Sequence, residues 1–149
     1  MLSAVSSAAT SRLFASIAIL SLAGILVSAI ALQRHYAKSE SKFCDLGQQF
    51  NCDIVNRSQQ SEVIGIPVAA AGIAGYAVLF IFSTFLRKNG TTPNRLLGTA
   101  IAGLVFALYL TYVEAYVLET WCVLCLVSLL LIALINLLAC MLKWKTSTA

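Results

Sequence analysis

The chain has 149 residues, 60% of them hydrophobic and 11% charged, and a mean hydropathy of +0.88. A soluble domain of this length needs more polar surface than that, whereas a bundle of membrane helices does not. The net charge of +4 is spread along the chain with no basic stripe, which argues against nucleic acid as a partner.

Four apolar runs follow one another, at about residues 13–32, 67–86, 96–117 and 121–142. A helix of about 20 residues, rising about 1.5 Å per residue, matches a hydrocarbon core of roughly 30 Å. Only Glu114, near the end of the third run, carries a charge. Apolarity on every side sets these runs apart from soluble amphipathic helices. The expected fold is an all-α membrane protein, a single four-helix domain over residues 1–149. One alternative concerns the first run. Arg12, the apolar stretch and Ala29-Ile30-Ala31 look like a secretory signal with its cleavage site, but the run exceeds the usual apolar region of about 7–15 residues. An uncleaved span is expected.

Lysine and arginine set the orientation. With four spans, the termini and the second loop share one side, which holds Arg12, Arg87, Lys88, Arg95, Lys143 and Lys145 and no acid. The opposite side holds Arg34, Lys38, Lys42 and Arg57 together with every acidic residue. The first side is therefore expected in the cytoplasm, and the first and third loops outside.

This topology brings the cysteines together. Cys44 and Cys52 fall in the outer first loop, and Cys122 and Cys125 open the fourth span at the same face. Two dithiols beside a bilayer suit a relay from thiols in water to a carrier dissolved in lipid. Cys122 and Cys125 share a helix face, and Thr120 is the expected N-cap. Phe43, Leu46, Phe50 and Ile54 recur at helical spacing, so the loop is expected to lie as an amphipathic cap over that pair. A static disulfide in an exported loop is the structural alternative. Four cysteines also suffice for zinc in principle. The first pair lacks knuckle spacing and the outer face is oxidising, so no metal is expected. Cys140, near the inner end, is expected to be a thiol packed against lipid or protein.

Other residues have simpler roles. Tyr109, Tyr112 and Tyr116 suit an interfacial belt, with quinone contact by Tyr112 and Tyr116 as the functional alternative. Glu114 is a candidate proton acceptor. Ser58 either caps a short helix or donates near the sulfurs. Pro67 suits a first helical turn, and Gly65, Gly72 and Gly75 suit close helix packing. Asn136 suits a bridge between helices, while Trp121 and Trp144 suit anchors at the two ends of the fourth span. His35 is expected to be solvated, and the sequons at Asn56 and Asn89 are taken as chance.

Taken together, Phe43-Cys44-Asp45, Cys52, Ser58, Gly65-Ile66-Pro67, Gly72, Tyr76 and Cys122-Val123-Leu124-Cys125 resemble the vitamin K epoxide reductase family, specifically its bacterial homologues. The resemblance runs from about residue 12 to 142. Disulfide oxidases of the DsbB type also have four spans and two cysteine pairs, but with the Cys-x-x-Cys in the first outer loop. Here that order is reversed.

The resemblance implies a four-helix bundle with an outer loop over a quinone pocket, in the bacterial cytoplasmic membrane with the cysteines on the periplasmic or extracellular face. It implies that a periplasmic, DsbA-like thioredoxin-fold partner reduces a Cys44–Cys52 disulfide. Cys52 then attacks Cys122, and Cys125 passes electrons to ubiquinone or menaquinone, supporting disulfide-bond formation. The quinone contacts expected are Cys125, Tyr112, Tyr116 and Glu114, with Ser58 in support. The animal enzymes hold vitamin K with an asparagine in the second span and a tyrosine four residues past the Cys-x-x-Cys. This chain has no asparagine in that span and has Leu129 at the other position, which favours a plain quinone over an epoxide. Many bacterial members carry a fused thioredoxin-like domain. Here the partner is expected to be a separate protein.

Overall fold

The computed structural model describes residues 2–38, 42, 47 and 49–148. Four long helices dominate it: α1 (Leu2–Tyr36), α3 (Val68–Thr84), α4 (Thr92–Val113) and α5 (Val123–Ser147). A short helix, α2 (Cys52–Arg57), a 3₁₀ turn (Gln59–Ser61) and a hairpin of β1 (Glu62–Val63) and β2 (Ile66–Pro67) link α1 to α3. Three helical stretches, Ser7–Tyr36, Thr92–Leu118 and Val123–Ser147, are long and apolar enough to cross a membrane. Val68–Thr84 is apolar but shorter. The chain is an integral membrane protein.

Around the bundle the order is α1, α3, α4, α5, with α5 closing back on α1, and α3 against α4 is the loosest of the four seams. The inner core joins Phe14 and Ile17 to Tyr76, Leu79, Leu96, Ala100, Ile132, Ile135 and Leu142. Ile19, Leu26, Val105 and Leu130 turn outward and are exposed. Apolar side chains on both faces are what a lipid-embedded helix needs.

Small residues set how closely the helices approach. A Cβ on Gly24 would overlap the ring of Tyr76, and one on Gly72 would stand 2.8 Å from Ser28 Oγ, so each helix seats a side chain of the other against its glycine backbone. The other two glycines assigned to packing act differently. Gly65 has φ +77° and follows Ile64 at φ 56°, so together they make the two-residue hairpin turn that pairs Val63 with Ile66. Gly75 faces open space. Pro67 stands just before α3 as its N-cap, not within its first turn. Asn136 bridges helices as expected: its Nδ2 donates to Ala100 O at 2.8 Å and to Ile132 O at 2.9 Å.

α1 continues past the predicted span to Tyr36, so its last turn rises beside the linking segment. His35 packs there and is not solvated; its side chain is 11% exposed. α4 ends in a single π turn, Glu114–Leu118, closed by Glu119 at φ 49°. Such turns are frequent at functional sites, and this one carries Glu114.

Candidate functional site

A backbone zipper joins the two cysteine-bearing segments. Asn51 N–H donates to Trp121 O at 3.2 Å and Trp121 N–H to Gln49 O at 2.9 Å, making a parallel bridge between Phe50 and Trp121. Cys52 follows on one side of this bridge and Cys122 on the other. Asn51 also caps α2, its Oδ1 accepting from the N–H groups of Asp53 and Ile54 at 3.0 and 3.1 Å. Cys52 and Cys122 are both fully buried, in a second apolar cluster with Ala31, Val55 and Leu124. Cys44 lies outside the described residues, as do Phe43 and Leu46 of the expected amphipathic cap. The described part of that cap is a turn, the bridge and α2.

Cys52 is disulfide-bonded, while Cys122 and Cys125 are free thiols. Cys122 is the N-cap of α5; Thr120, expected in that role, instead donates from Oγ1 to Leu118 O at 3.1 Å. The Cys122 N–H donates to Glu114 Oε2 at 3.1 Å. The two sulfurs and a Glu114 carboxylate oxygen all lie within 4.8 Å of one another. Glu114 is 2% exposed, and its Oε1 is buried with no N–H or O–H donor in reach among the described residues. A hydrogen bond from Cys125 holds the Cys122 thiol below its ordinary pKa, with burial opposing.

Asn56 is a residue that sequence reasoning missed. From the last turn of α2 its Nδ2 donates to Cys52 O at 2.8 Å and to Cys122 Sγ at 3.6 Å. One buried amide therefore touches both cysteine segments. His35 holds this residue from α1, its Nδ1 lying 2.5 Å from Asn56 O and its Nε2 3.2 Å from Glu62 Oε1. The i, i+4 spacing of Cys52 and Asn56 was the available signal. It needed the knowledge that a helix begins at Cys52.

Beneath the sulfurs lies a cavity of about 160 Å³. Val27 and Ala31 of α1, Gly75 and Tyr76 of α3, Phe106 and Leu110 of α4 help to line it. Tyr76 closes one side, its hydroxyl 2.8 Å from Ser128 O and 3.0 Å from Ser128 Oγ. Cys125, Glu114, Asn56, His35 and Ser58 also line it. Ser58 donates from Oγ to Val55 O at 2.8 Å, which satisfies the end of α2 rather than a sulfur. The structure does not bring Tyr112 and Tyr116 to this cavity. Their rings stack on each other 5.0 Å apart, and both are exposed, because α4 turns them to its outer face. Cys140 is likewise exposed, at the other end of α5.

The arrangement can exchange disulfides on one side and serve a small apolar ligand on the other. Cys122 meets the Cys52 segment and Cys125 meets the cavity. A model of the vitamin K epoxide reductase family matches residues 15–140, and the chain belongs to that family of membrane thiol–disulfide oxidoreductases.

Proposed function

We propose that the protein is a thiol–quinone oxidoreductase with four membrane spans, α3 being the shortest, and that the linking segment caps a quinone pocket at the outer face. The observation that carries this is the division of labour within one Cys-x-x-Cys: Cys125 lines the cavity, while Cys122 is buried against the Cys52 segment. An apolar cavity of about 150 Å³ can hold benzene, so one of about 160 Å³ suits a single quinone ring. The isoprenoid tail would leave through the loose α3–α4 seam. With no asparagine in α3, a plain ubiquinone or menaquinone fits better than a vitamin K epoxide.

Electrons enter from a DsbA-like thioredoxin-fold partner, whose thiolate attacks the Cys44–Cys52 disulfide at Cys44 and frees Cys52. Cys52 attacks Cys122, breaking the Cys122–Cys125 bond and releasing Cys125 as a thiolate. The partner's second thiol closes its own disulfide and releases Cys44. Cys44 in turn attacks Cys52, so Cys122 leaves and the Cys44–Cys52 bond is restored. Each step exchanges one thiolate for another through a mixed disulfide. Cys122 leaves more readily because the Asn56 amide donates to its sulfur. The dithiol then closes to a disulfide as the quinone takes two electrons and two protons to become quinol. Glu114 Oε1, buried beside both sulfurs, is placed to carry one of those protons. The setting is a bacterial cytoplasmic membrane, with the cysteines facing the periplasm and the reaction supporting disulfide-bond formation.

The test is quinone reduction by the purified protein in detergent, supplied with a reduced DsbA-like protein. Turnover is expected with the unaltered chain and none with Cys125→Ala, at unchanged helical circular dichroism. Quinol formation that persists in Cys125→Ala, or no turnover with either quinone by the intact chain, would reject the proposal.

A further inference from the structure

We infer that the reduced Cys122–Cys125 pair and Glu114 form a binding site for a thiophilic divalent cation, for which zinc is the natural probe. The three ligand atoms lie within 4.8 Å of one another. Zinc takes thiolate sulfur at about 2.3 Å and carboxylate oxygen at about 2.0–2.2 Å, so a tetrahedral ion holds its ligands roughly 3.5–3.8 Å apart. Closing the present cluster takes about an ångström of side-chain movement.

Glu114 is the independent pointer to a ligand. Its Oε2 is already fixed by the Cys122 N–H at 3.1 Å, so the carboxylate is oriented before any ion arrives. Its Oε1 is buried at the cavity wall with no N–H or O–H donor among the described residues, and only the weak S–H donor of Cys125 faces the carboxylate from that side. A buried acceptor so weakly served is costly, and a cation between it and the two sulfurs removes the cost. Three protein ligands leave a fourth position on the cavity side for water, the pattern of an open zinc site. Two thiolates select zinc over magnesium or calcium, which prefer oxygen.

The site exists only in the reduced chain. Binding is ligand exchange: the sulfurs lose their protons to solvent and no electron moves. Closing the Cys122–Cys125 disulfide removes two of the three ligands. The binding does not depend on the quinone proposal. Its consequence does: if Cys125 passes electrons to a quinone, zinc stalls the dithiol one step before it.

The experiment uses the full chain in detergent carrying Cys44→Ser, Cys52→Ser and Cys140→Ser, which leaves Cys122 and Cys125 as its only cysteines. Zinc is titrated against a chromophoric chelator, and cobalt(II) serves as the optical probe. The expected result is one zinc per reduced chain, thiolate-to-cobalt charge-transfer absorption, and loss of both on oxidation. Further substitution of Cys125 by Ser abolishes binding. Glu114→Gln weakens it by at least roughly tenfold, since even outer-shell partners change metal affinity by about 10–100-fold. Zinc retained equally by the oxidised chain or by Glu114→Gln overturns the inference, as does a reduced chain that binds none. If the triply substituted chain fails to fold, cobalt spectra of the reduced chain with and without Glu114→Gln or Cys125→Ser as the single substitution decide the same point: absorption unchanged by both overturns the inference. A quinone assay with and without zinc reports separately on the relay.

Discussion

Asn56→Leu gives the sharpest probe of the exchange step. Leucine keeps nearly the same volume but removes the amide that donates to Cys122 Sγ at 3.6 Å and to Cys52 O at 2.8 Å. A hydrogen bond to a charged group contributes about 1.5–3 kcal/mol, against about 0.5–1.5 kcal/mol for a neutral one. The sulfur contact is long, so the lower end of the charged range applies. Cys122 bears charge only as it leaves the Cys52–Cys122 bond. The variant therefore loses about 1.5 kcal/mol mainly at that step, which is roughly a tenfold slowing. The assay quenches turnover with acid and measures the Cys52–Cys122 mixed disulfide by mass spectrometry. It is expected to accumulate in Asn56→Leu and not in the unaltered chain. A second readout follows from the sign of the effect: losing a donor destabilises the thiolate, so the midpoint for alkylation of Cys122 moves to higher pH. Wild-type turnover, no accumulation and an unmoved midpoint in a folded variant would refute the reasoning.

His35→Ala should lower turnover and increase protease cleavage between α1 and α3, because it frees Asn56 O and Glu62 together; limited proteolysis checks this, and unchanged cleavage would show that the linking segment is held otherwise. Gly24→Ala should cost about 1–3 kcal/mol of stability, since its methyl overlaps the Tyr76 ring; the denaturation midpoint in detergent reports it. Tyr112→Phe and Tyr116→Phe should leave the KM for quinone unchanged, because both rings stand outside the cavity. A severalfold rise in either KM would put the quinone elsewhere.

The apolar runs were legible because burial in lipid demands hydropathy on every face, and hydropathy is local in sequence. The helix ends were less so. α3 stops at Thr84, where Ser83 and Thr84 donate back to Phe80 O at 3.0 and 2.7 Å and Leu86 N–H turns in to Ile81 O at 3.3 Å. Those bonds lie within an apolar stretch that hydropathy reads as continuous. The Cys-x-x-Cys and Glu114 were visible as residue types at a predicted membrane face. His35 and Asn56 were not, because apart from Cys52 their partners lie more than twenty residues away, across α1, the linking segment and the start of α5. Their roles depend on α2 folding back against the top of α1. The tyrosines of α4 misled for a related reason: proximity in sequence to Glu114 says nothing about which side of the helix a ring occupies.

The zipper across Phe50 and Trp121 has a consequence for reaction order. Two cysteines joined by a flexible linker meet at an effective concentration in the millimolar range. Well-oriented neighbours reach far higher values, about 10⁵–10⁸ M in favourable intramolecular reactions. Two backbone hydrogen bonds, of 3.2 and 2.9 Å, put Cys52 and Cys122 toward the second regime. Exchange between the pairs should then be first order and insensitive to dilution, leaving the encounters with the thiol donor and with the quinone as the steps whose rates follow concentration.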